Sequence, residues 1–128
     1  MATHLKLSSS FLLLLLLSQK GWSARTDRCG PADIVVKQTK TGKVVEGQAE
    51  YAVTVSNRCG WCAQSMVLVK CFGLNTVKAV DPRVLRPVDG VNCVVNDGRP
   101  ITRGSPVVFK YAWMTPSDFK VVKSMLKC

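Results

Sequence analysis

The sequence predicts an all-β protein, namely a small antiparallel β-sandwich of six to seven strands that is reinforced by three disulfides. Apolar and polar residues alternate in several short, valine-rich runs, which is the period of a half-buried strand. After the N-terminal segment, no stretch has the apolar spacing of an amphipathic helix. The 6 cysteines are an even number in a short chain, which is typical of the disulfide framework of a secreted domain.

The N-terminal segment has the features of a secretory signal peptide. Residues 11–17 are an unbroken apolar run, which is far shorter than the roughly 20 residues that span a bilayer. The small residues Gly21 and Ser23 precede a suitable cleavage site. We therefore expect a signal peptide over residues 1–23 and a single secreted β-sandwich domain over residues 24–128. The alternative is an N-terminal anchor that is never cleaved.

The two clearest strands lie in the middle of the chain, and we expect them to form a hairpin. Residues 51–57 alternate in period two, and residues 64–71 are apolar on both faces, which favours a central strand. Residues 58–62 would form the turn between them. Because three cysteines lie in this predicted hairpin, it should be tied covalently to the rest of the fold.

The remaining strands are predicted from the same alternation and from turn residues. They are expected over residues 33–39, 44–45, 93–95, 107–113 and 119–126. Turns are expected at residues 41–43 and 96–99, and Gly47 should end the short strand at residues 44–45. Residues 107–113 form the clearest amphipathic strand, so Tyr111 and Trp113 are expected in the core.

The longest irregular stretch, residues 72–92, is a candidate recognition loop. A loop of this length is unusual in a compact domain and is often functional. It carries Lys78, Arg83 and Arg86, with Asp81 as the acid between them. We predict that these three cations contact a receptor. The alternative is that Arg83 and Arg86 only solvate a loop that covers the core.

Trp61 is a further candidate contact residue. It lies in the predicted turn at residues 58–62, whereas the other aromatic candidates for an exposed platform share the apolar face of a strand. An exposed tryptophan could bind a receptor or stack on a sugar.

The sequence does not support an enzymatic function, a cofactor or a metal site. His4 is the only histidine and lies in the predicted signal peptide, which removes histidine-dependent nucleophile chemistry and the usual zinc sites. Cys59 and Cys62 have the Cys-x-x-Cys spacing, but a redox pair needs a helix N-terminus and a strand is predicted there. The aspartates between residues 81 and 97 lie in predicted turns, where aspartate has an ordinary backbone role.

All six cysteines are expected to form disulfides. They are Cys29, Cys59, Cys62, Cys71, Cys93 and Cys128. Strands that run up and down in order would place Cys71 and Cys93 at one end of the sandwich and the other four cysteines at the opposite end, which predicts a Cys71–Cys93 bridge. The other four can pair as Cys29–Cys59 with Cys62–Cys128, or as Cys29–Cys62 with Cys59–Cys128, and the sequence leaves both open.

Several motifs together resemble the plant tapetum determinant family. In chain order they are Cys29, Asp33-Ile34 with Gln38-Thr39 and Thr41-Gly42, Tyr51-x-Val53-x-Val55-x-Asn57, Cys59-x-x-Cys62-x-x-Ser65, Val69-x-Cys71, Asp81-Pro82 with Leu85-Arg86, Cys93-Val94-Val95-Asn96-x-Gly98-x-Pro100-Ile101, Gly104 through Phe109-x-Tyr111-Ala112, and Cys128. The cysteine framework and the Val-Asn-x-Gly-x-Pro segment are the specific part. The resemblance implies a small protein ligand of a leucine-rich-repeat receptor kinase, secreted into the extracellular space (the apoplast) and acting in anther cell fate.

We therefore interpret the chain as a secreted, non-enzymatic signalling ligand of a leucine-rich-repeat receptor kinase ectodomain, in cell-fate or anther development signalling. Loss of Lys6 and Lys20 with the signal peptide lowers the formal net charge from +10 to +8, which still favours acidic partners. The alternative is a cell-wall carbohydrate-binding β-sandwich protein that stacks sugars on Trp61 and binds acidic wall polysaccharide. Nucleic acid is not an expected partner, and no transmembrane segment is expected in the mature chain.

Overall fold

The computed structural model describes residues 29–128, so the predicted signal peptide and its cleavage site lie outside the described residues. These residues form seven strands in two antiparallel sheets, which confirms the predicted all-β class. The strands are β1 (Ile34–Val45), β2 (Gln48–Asn57), β3 (Ala63–Lys70), β4 (Leu85–Pro87), β5 (Asn92–Val95), β6 (Val107–Ala112) and β7 (Val121–Lys127). Between residues 29 and 128, no helix is long and apolar enough to cross a membrane.

The strands are divided between a sheet in the order β1-β2-β6 and a sheet in the order β4-β5-β3-β7. Because β2 and β3 lie in different sheets, the predicted hairpin over residues 51–71 is wrong. Both strands exist, but they do not pair, and residues 58–62 carry the chain from one sheet to the other. Period-two alternation shows which face of a strand is buried, but it does not show which strand is its partner. In a sandwich, two strands with this pattern can lie in different sheets and pack face to face.

The strand β1 is longer than the sequence predicts. It continues to Val45 with a shift of register between Lys40 and Val44, so residues 41–43 lie within an irregular part of one strand and do not form the predicted turn. The turn lies instead at Glu46 and Gly47, where φ is 47° and 81°. A two-residue hairpin turn of this kind needs positive φ at both central residues, and glycine adopts it without a steric cost.

The predicted irregular stretch over residues 72–92 contains the short strand β4. Leu85 is buried and pairs in register with Val95 of β5. Arg86 and Pro87, which lie in the predicted irregular stretch, belong to this strand. The three-residue strand is too short to show an alternation, which is why the sequence did not predict it.

An aromatic cluster fills the core between the sheets. The rings of Tyr51 and Tyr111 stack with centroids 5.3 Å apart. Phe119 packs edge-on against Phe109 and Tyr111, at 5.4 Å and 5.3 Å. Phe119 comes from the loop before β7 and is almost completely buried. The predicted core position of Tyr111 is confirmed, and Trp113 is partly buried at the margin of the core.

The six cysteines form three disulfides, as predicted. The pairs are Cys29–Cys59, Cys62–Cys128 and Cys71–Cys93. The predicted Cys71–Cys93 bridge is confirmed, and the structure selects the first of the two pairings that the sequence left open. Cys59 and Cys62 therefore bond to different partners, and the strand β3 follows them.

Phe119→Ala should lower the free energy of unfolding by about 3–5 kcal/mol, because it leaves a cavity beside two other rings. Met114→Ala, in the same loop but with a side chain that is 65% exposed, should change it by no more than about 0.5 kcal/mol. Urea denaturation of both variants measures this difference. A loss below about 1 kcal/mol for Phe119→Ala would contradict the core position of the ring.

Removal of the third bridge by Cys71→Ser with Cys93→Ser should lower the free energy of unfolding by about 3 kcal/mol, because the bridge constrains a loop of intermediate length in the unfolded chain. Thermal and urea unfolding measure the loss. A peptide map of the unreduced wild type provides the control. A peptide that links Cys71 to any cysteine other than Cys93 would refute the topology.

Candidate functional site

The segment that the sequence singled out for recognition is docked along the free edge of β6. We call residues 76–84 the edge segment. The Val77 N–H donates to the Ala112 carbonyl (2.9 Å), and the Ala112 N–H donates to Thr76 Oγ1 (3.0 Å). Val80 and Val84 pack against the core. The edge segment therefore has a fixed path, which differs from the free loop that its composition suggests.

Lys78 holds the edge segment to a buried carboxylate. Its Nζ lies 2.8 Å from Oε2 of Glu50, and Thr41 Oγ1 donates to Oε1 of Glu50 at 2.7 Å. Glu50 lies on the central strand β2 and is only 2% exposed. The hydrogen bonds from Lys78 and then Thr41 hold the pKa of Glu50 below its ordinary value of 4.5. A buried carboxylate requires such partners. Lys78 therefore has a structural role that does not depend on contact with a receptor.

The two candidate arginines form exposed ion pairs. Arg83 Nη2 lies 3.0 Å from Oδ2 of Asp81, and Arg86 Nη2 lies 2.9 Å from Oδ1 of Asp97. Hydrogen bonds from the side chain and the backbone of Arg83 lower the pKa of Asp81 below 3.8. Exposed pairs contribute little to stability, so both guanidinium groups can exchange onto the carboxylates of a partner. Arg83 lies in the edge segment, whereas Arg86 lies on β4 of the second sheet.

Trp61 lies at the opposite end of the sandwich from the Cys71–Cys93 bridge. Its side chain is 63% exposed, in the connection between β2 and β3. Cys71 follows the other end of β3, and eight residues at about 3.3 Å each separate the two ends by roughly 26 Å. Lys78 also lies far from Trp61, because its partner Glu50 precedes Asn57 by seven residues of β2, roughly 23 Å. The structure therefore does not bring Trp61 and Lys78 together into one small site.

A cleft that the sequence did not predict lies at the Cys71 end. Its volume is about 480 Å³, and it separates residues 70–75 from residues 111–120. Phe72, which is 61% exposed, and the half-buried Trp113 line it, together with Lys70 and Lys120. We call it the Phe72 cleft. The only sign of this cleft in the sequence is the aromatic residue Phe72 next to Cys71. That pattern does not show whether the ring is exposed or buried.

The exposed side chains described above are of kinds that can bind a partner. Among the described residues, no cluster of three histidine, cysteine, aspartate or glutamate side chains is placed to hold a metal ion. The carboxylate that is most deeply buried, Glu50, is matched by Lys78. The exposed groups at the cleft and on the edge segment include aromatic rings and cations, which can recognise a partner by stacking and by charge, and the acids Asp81 and Asp118 lie beside them.

The chain is similar to known plant proteins over most of its described length. Residues 30–128 match the family model described as Tapetum determinant 1, C-terminal. The chain is 34% identical over 110 residues to TPD1 protein homolog 1A of Oryza sativa subsp. japonica. The aligned region covers 80% of this chain and 48% of that protein. The chain is 36% identical over 85 residues to TPD1 protein homolog 1 of Arabidopsis thaliana, covering 66% of this chain and 48% of that protein.

A third relative, an uncharacterized protein of Arabidopsis thaliana, is 36% identical over 106 residues, which are 81% of this chain and 79% of that protein. The chain thus spans about half the length of the first two relatives. No solved structure matches the chain.

The stability of the fold should fall in acid, because the folded-state pKa of Glu50 is lower than 4.5. A carboxylate whose pKa is lower in the folded state than in the unfolded state contributes stability. That contribution is fully present above pH 4.5 and is lost as the pH falls through the pKa of the folded state. We expect Glu50→Gln to melt at a lower temperature than the wild type at pH 7 and to lose less on acidification. Thermal melting between neutral pH and strong acid measures both effects.

The control is Glu46→Gln, because Glu46 is exposed in the hairpin turn. This variant should keep the pH profile of the wild type. If Glu50→Gln kept that profile as well, the ion pair with Lys78 would not contribute to stability, and the edge segment would need another anchor.

Proposed function

This chain belongs to the tapetum determinant family, and we propose from that premise that it is a secreted protein ligand of a leucine-rich-repeat receptor kinase in plant cell-fate signalling, including anther development. The observation that carries the proposal is the match of the family model to residues 30–128, which includes the whole described fold except Cys29. The ligand acts by binding and does not catalyse a reaction.

An extracellular location in the apoplast is part of the proposal. Three disulfides support it, because disulfides form and persist mainly in oxidising compartments. The apolar run at residues 11–17 supports a signal peptide over residues 1–23, with the secreted domain over residues 24–128.

The receptor contact includes the edge segment and β4. Arg83 and Arg86 provide exposed positive charge, which speeds association with an acidic receptor surface. Lys78 takes part mainly by fixing the edge segment to Glu50. The Cys71–Cys93 bridge closes the base of this region, so little conformational entropy is lost when a receptor binds.

A second candidate function is binding of cell-wall carbohydrate. The exposure of Trp61, at 63%, favours it, because a tryptophan ring that projects from a turn fixed by two disulfides could stack on a sugar. In this function the basic surface would hold the protein on acidic polysaccharide, and Trp61 would be the contact residue.

The proposed function is tested by capture of receptor kinase ectodomains with the secreted protein, in parallel with a glycan array. We expect a leucine-rich-repeat ectodomain to bind and Trp61→Ala to leave that binding unchanged. Binding to glycans with loss in Trp61→Ala, and no bound ectodomain, would replace the first function with the second.

Arg83→Glu with Arg86→Glu should slow association with the captured ectodomain about tenfold at low salt, because the charge that steers the encounter is reversed. The matched control is Lys40→Glu with Lys43→Glu, which makes the same charge change on the exposed β1–β2 hairpin. Surface-based kinetics at two salt concentrations, with thermal melting of both variants, measures the effect. Equal slowing in both variants would mean that only net charge matters and would remove this surface from the receptor contact.

A further inference from the structure

We propose that the Phe72 cleft binds short acidic oligosaccharides. In this site, sugar rings stack on Phe72 and Trp113, and the carboxylates pair with Lys70 and Lys120. The site is distinct from the proposed receptor contact on the edge segment and from Trp61, and it does not depend on either of them.

Phe72 is held in a conformation that presents its ring to solvent. Three successive residues, Phe72, Gly73 and Leu74, have positive φ, at 49°, 84° and 56°. Positive φ is uncommon for a bulky residue and persists only where the surroundings fix it. The N–H groups of Cys71 and Phe72 both donate to the Val91 carbonyl, at 2.8 Å and 3.0 Å. The adjacent Cys71–Cys93 bridge fixes the same point, so the backbone that carries the exposed ring is held in place before any ligand binds.

The opposite wall of the cleft is also fixed. The Trp113 N–H donates to the Ala49 carbonyl at 3.2 Å. Further along the same loop, the Ser117 N–H donates to the Tyr111 hydroxyl at 2.9 Å, and Gln38 Nε2 donates to the Ser117 carbonyl at 2.7 Å. The cleft is therefore preformed, which reduces the entropy that a ligand would lose in ordering it.

The charges at the cleft favour an anion. Lys70 and Lys120 lie opposite each other, because the Lys70 N–H donates to the Lys120 carbonyl at 2.8 Å. Like charges on directly opposite residues repel, and a bound carboxylate would relieve that repulsion. The ion pairs found between residues 29 and 128 use other cations, namely Lys78, Arg83 and Arg86. Asp118 is the single acid that lines the cleft, so the balance of charge is positive.

The mixture of lining groups favours a saccharide over an apolar ligand. Asn75 and Thr115 line the cleft and can hydrogen-bond to sugar hydroxyls, while the aromatic rings can pack on the apolar face of a sugar ring. The volume of 480 Å³ lies in the range of about 300–1,000 Å³ that is usual for small-ligand sites. A second cleft of about 330 Å³ beside the edge segment has only the buried Phe109 as an aromatic lining residue, so it offers no exposed ring for stacking.

The test is a titration of the isotope-labelled secreted protein with α-1,4-linked trigalacturonate, followed by NMR. We expect shifts of the Phe72 and Lys120 amides and of the Trp113 indole, and weaker binding as salt is added. Maltotriose, a neutral α-1,4-linked trisaccharide, should bind at least tenfold more weakly because it lacks the carboxylates. Phe72→Ala should weaken trigalacturonate binding about tenfold.

Val44→Ala is the control, because Val44 is 69% exposed on the β1–β2 hairpin and does not line the cleft. This variant should bind trigalacturonate as the wild type does. Shifts at Trp61 instead of the cleft, or no shifts at all, would overturn the proposal. Triglutamate that bound the cleft as tightly as trigalacturonate would also overturn it and would make the site one for acidic peptides.

Discussion

The two sheets are joined at one end by a buried amide network, and the rest of the structure depends on it. Asn57, the last residue of β2, donates from Nδ2 to the carbonyls of Cys62 (3.0 Å) and Ile101 (2.9 Å). Its Oδ1 accepts from the Cys59 N–H (2.9 Å) and from Gln64 Nε2 (3.2 Å). Both amide side chains are buried, and an unpaired amide there would cost about 1–3 kcal/mol. The network fixes the crossing between the sheets, so two disulfides can close beside it.

The sequence predicts the buried faces of the strands better than their partners. Phe109 and Tyr111 face the core as their alternation predicts, because period two is a local property of one strand. The partner of a strand is set by contacts far along the chain, which is why the hairpin over residues 51–71 was wrong. Lys78 illustrates the same limit, since its buried partner Glu50 lies on another strand and no local pattern marks it. The exposure of Phe72 depends on positive φ values that its sequence neighbourhood does not specify.

Most of the motifs that carry the family resemblance lie in the scaffold. Tyr51, Val53, Val55 and Asn57 form the inward face of β2, and the Val-Asn-x-Gly-x-Pro segment forms the end of β5 and the tight turn after it. Of these motifs, only Asp81-Pro82 lies in the edge segment, and only Cys71 and Tyr111 line the Phe72 cleft. Proteins that share this framework can therefore present different surfaces, and the choice of partner is a property of those surfaces more than of the shared cysteines.

We propose that the receptor contacts the edge segment and not the end that holds the amide network. The most direct test is hydrogen–deuterium exchange of the protein with and without a bound receptor kinase ectodomain. We predict slower amide exchange at residues 76–86 in the complex and unchanged exchange at residues 58–62. Slower exchange at residues 58–62 with no change at residues 76–86 would contradict this assignment and place the receptor contact at Trp61.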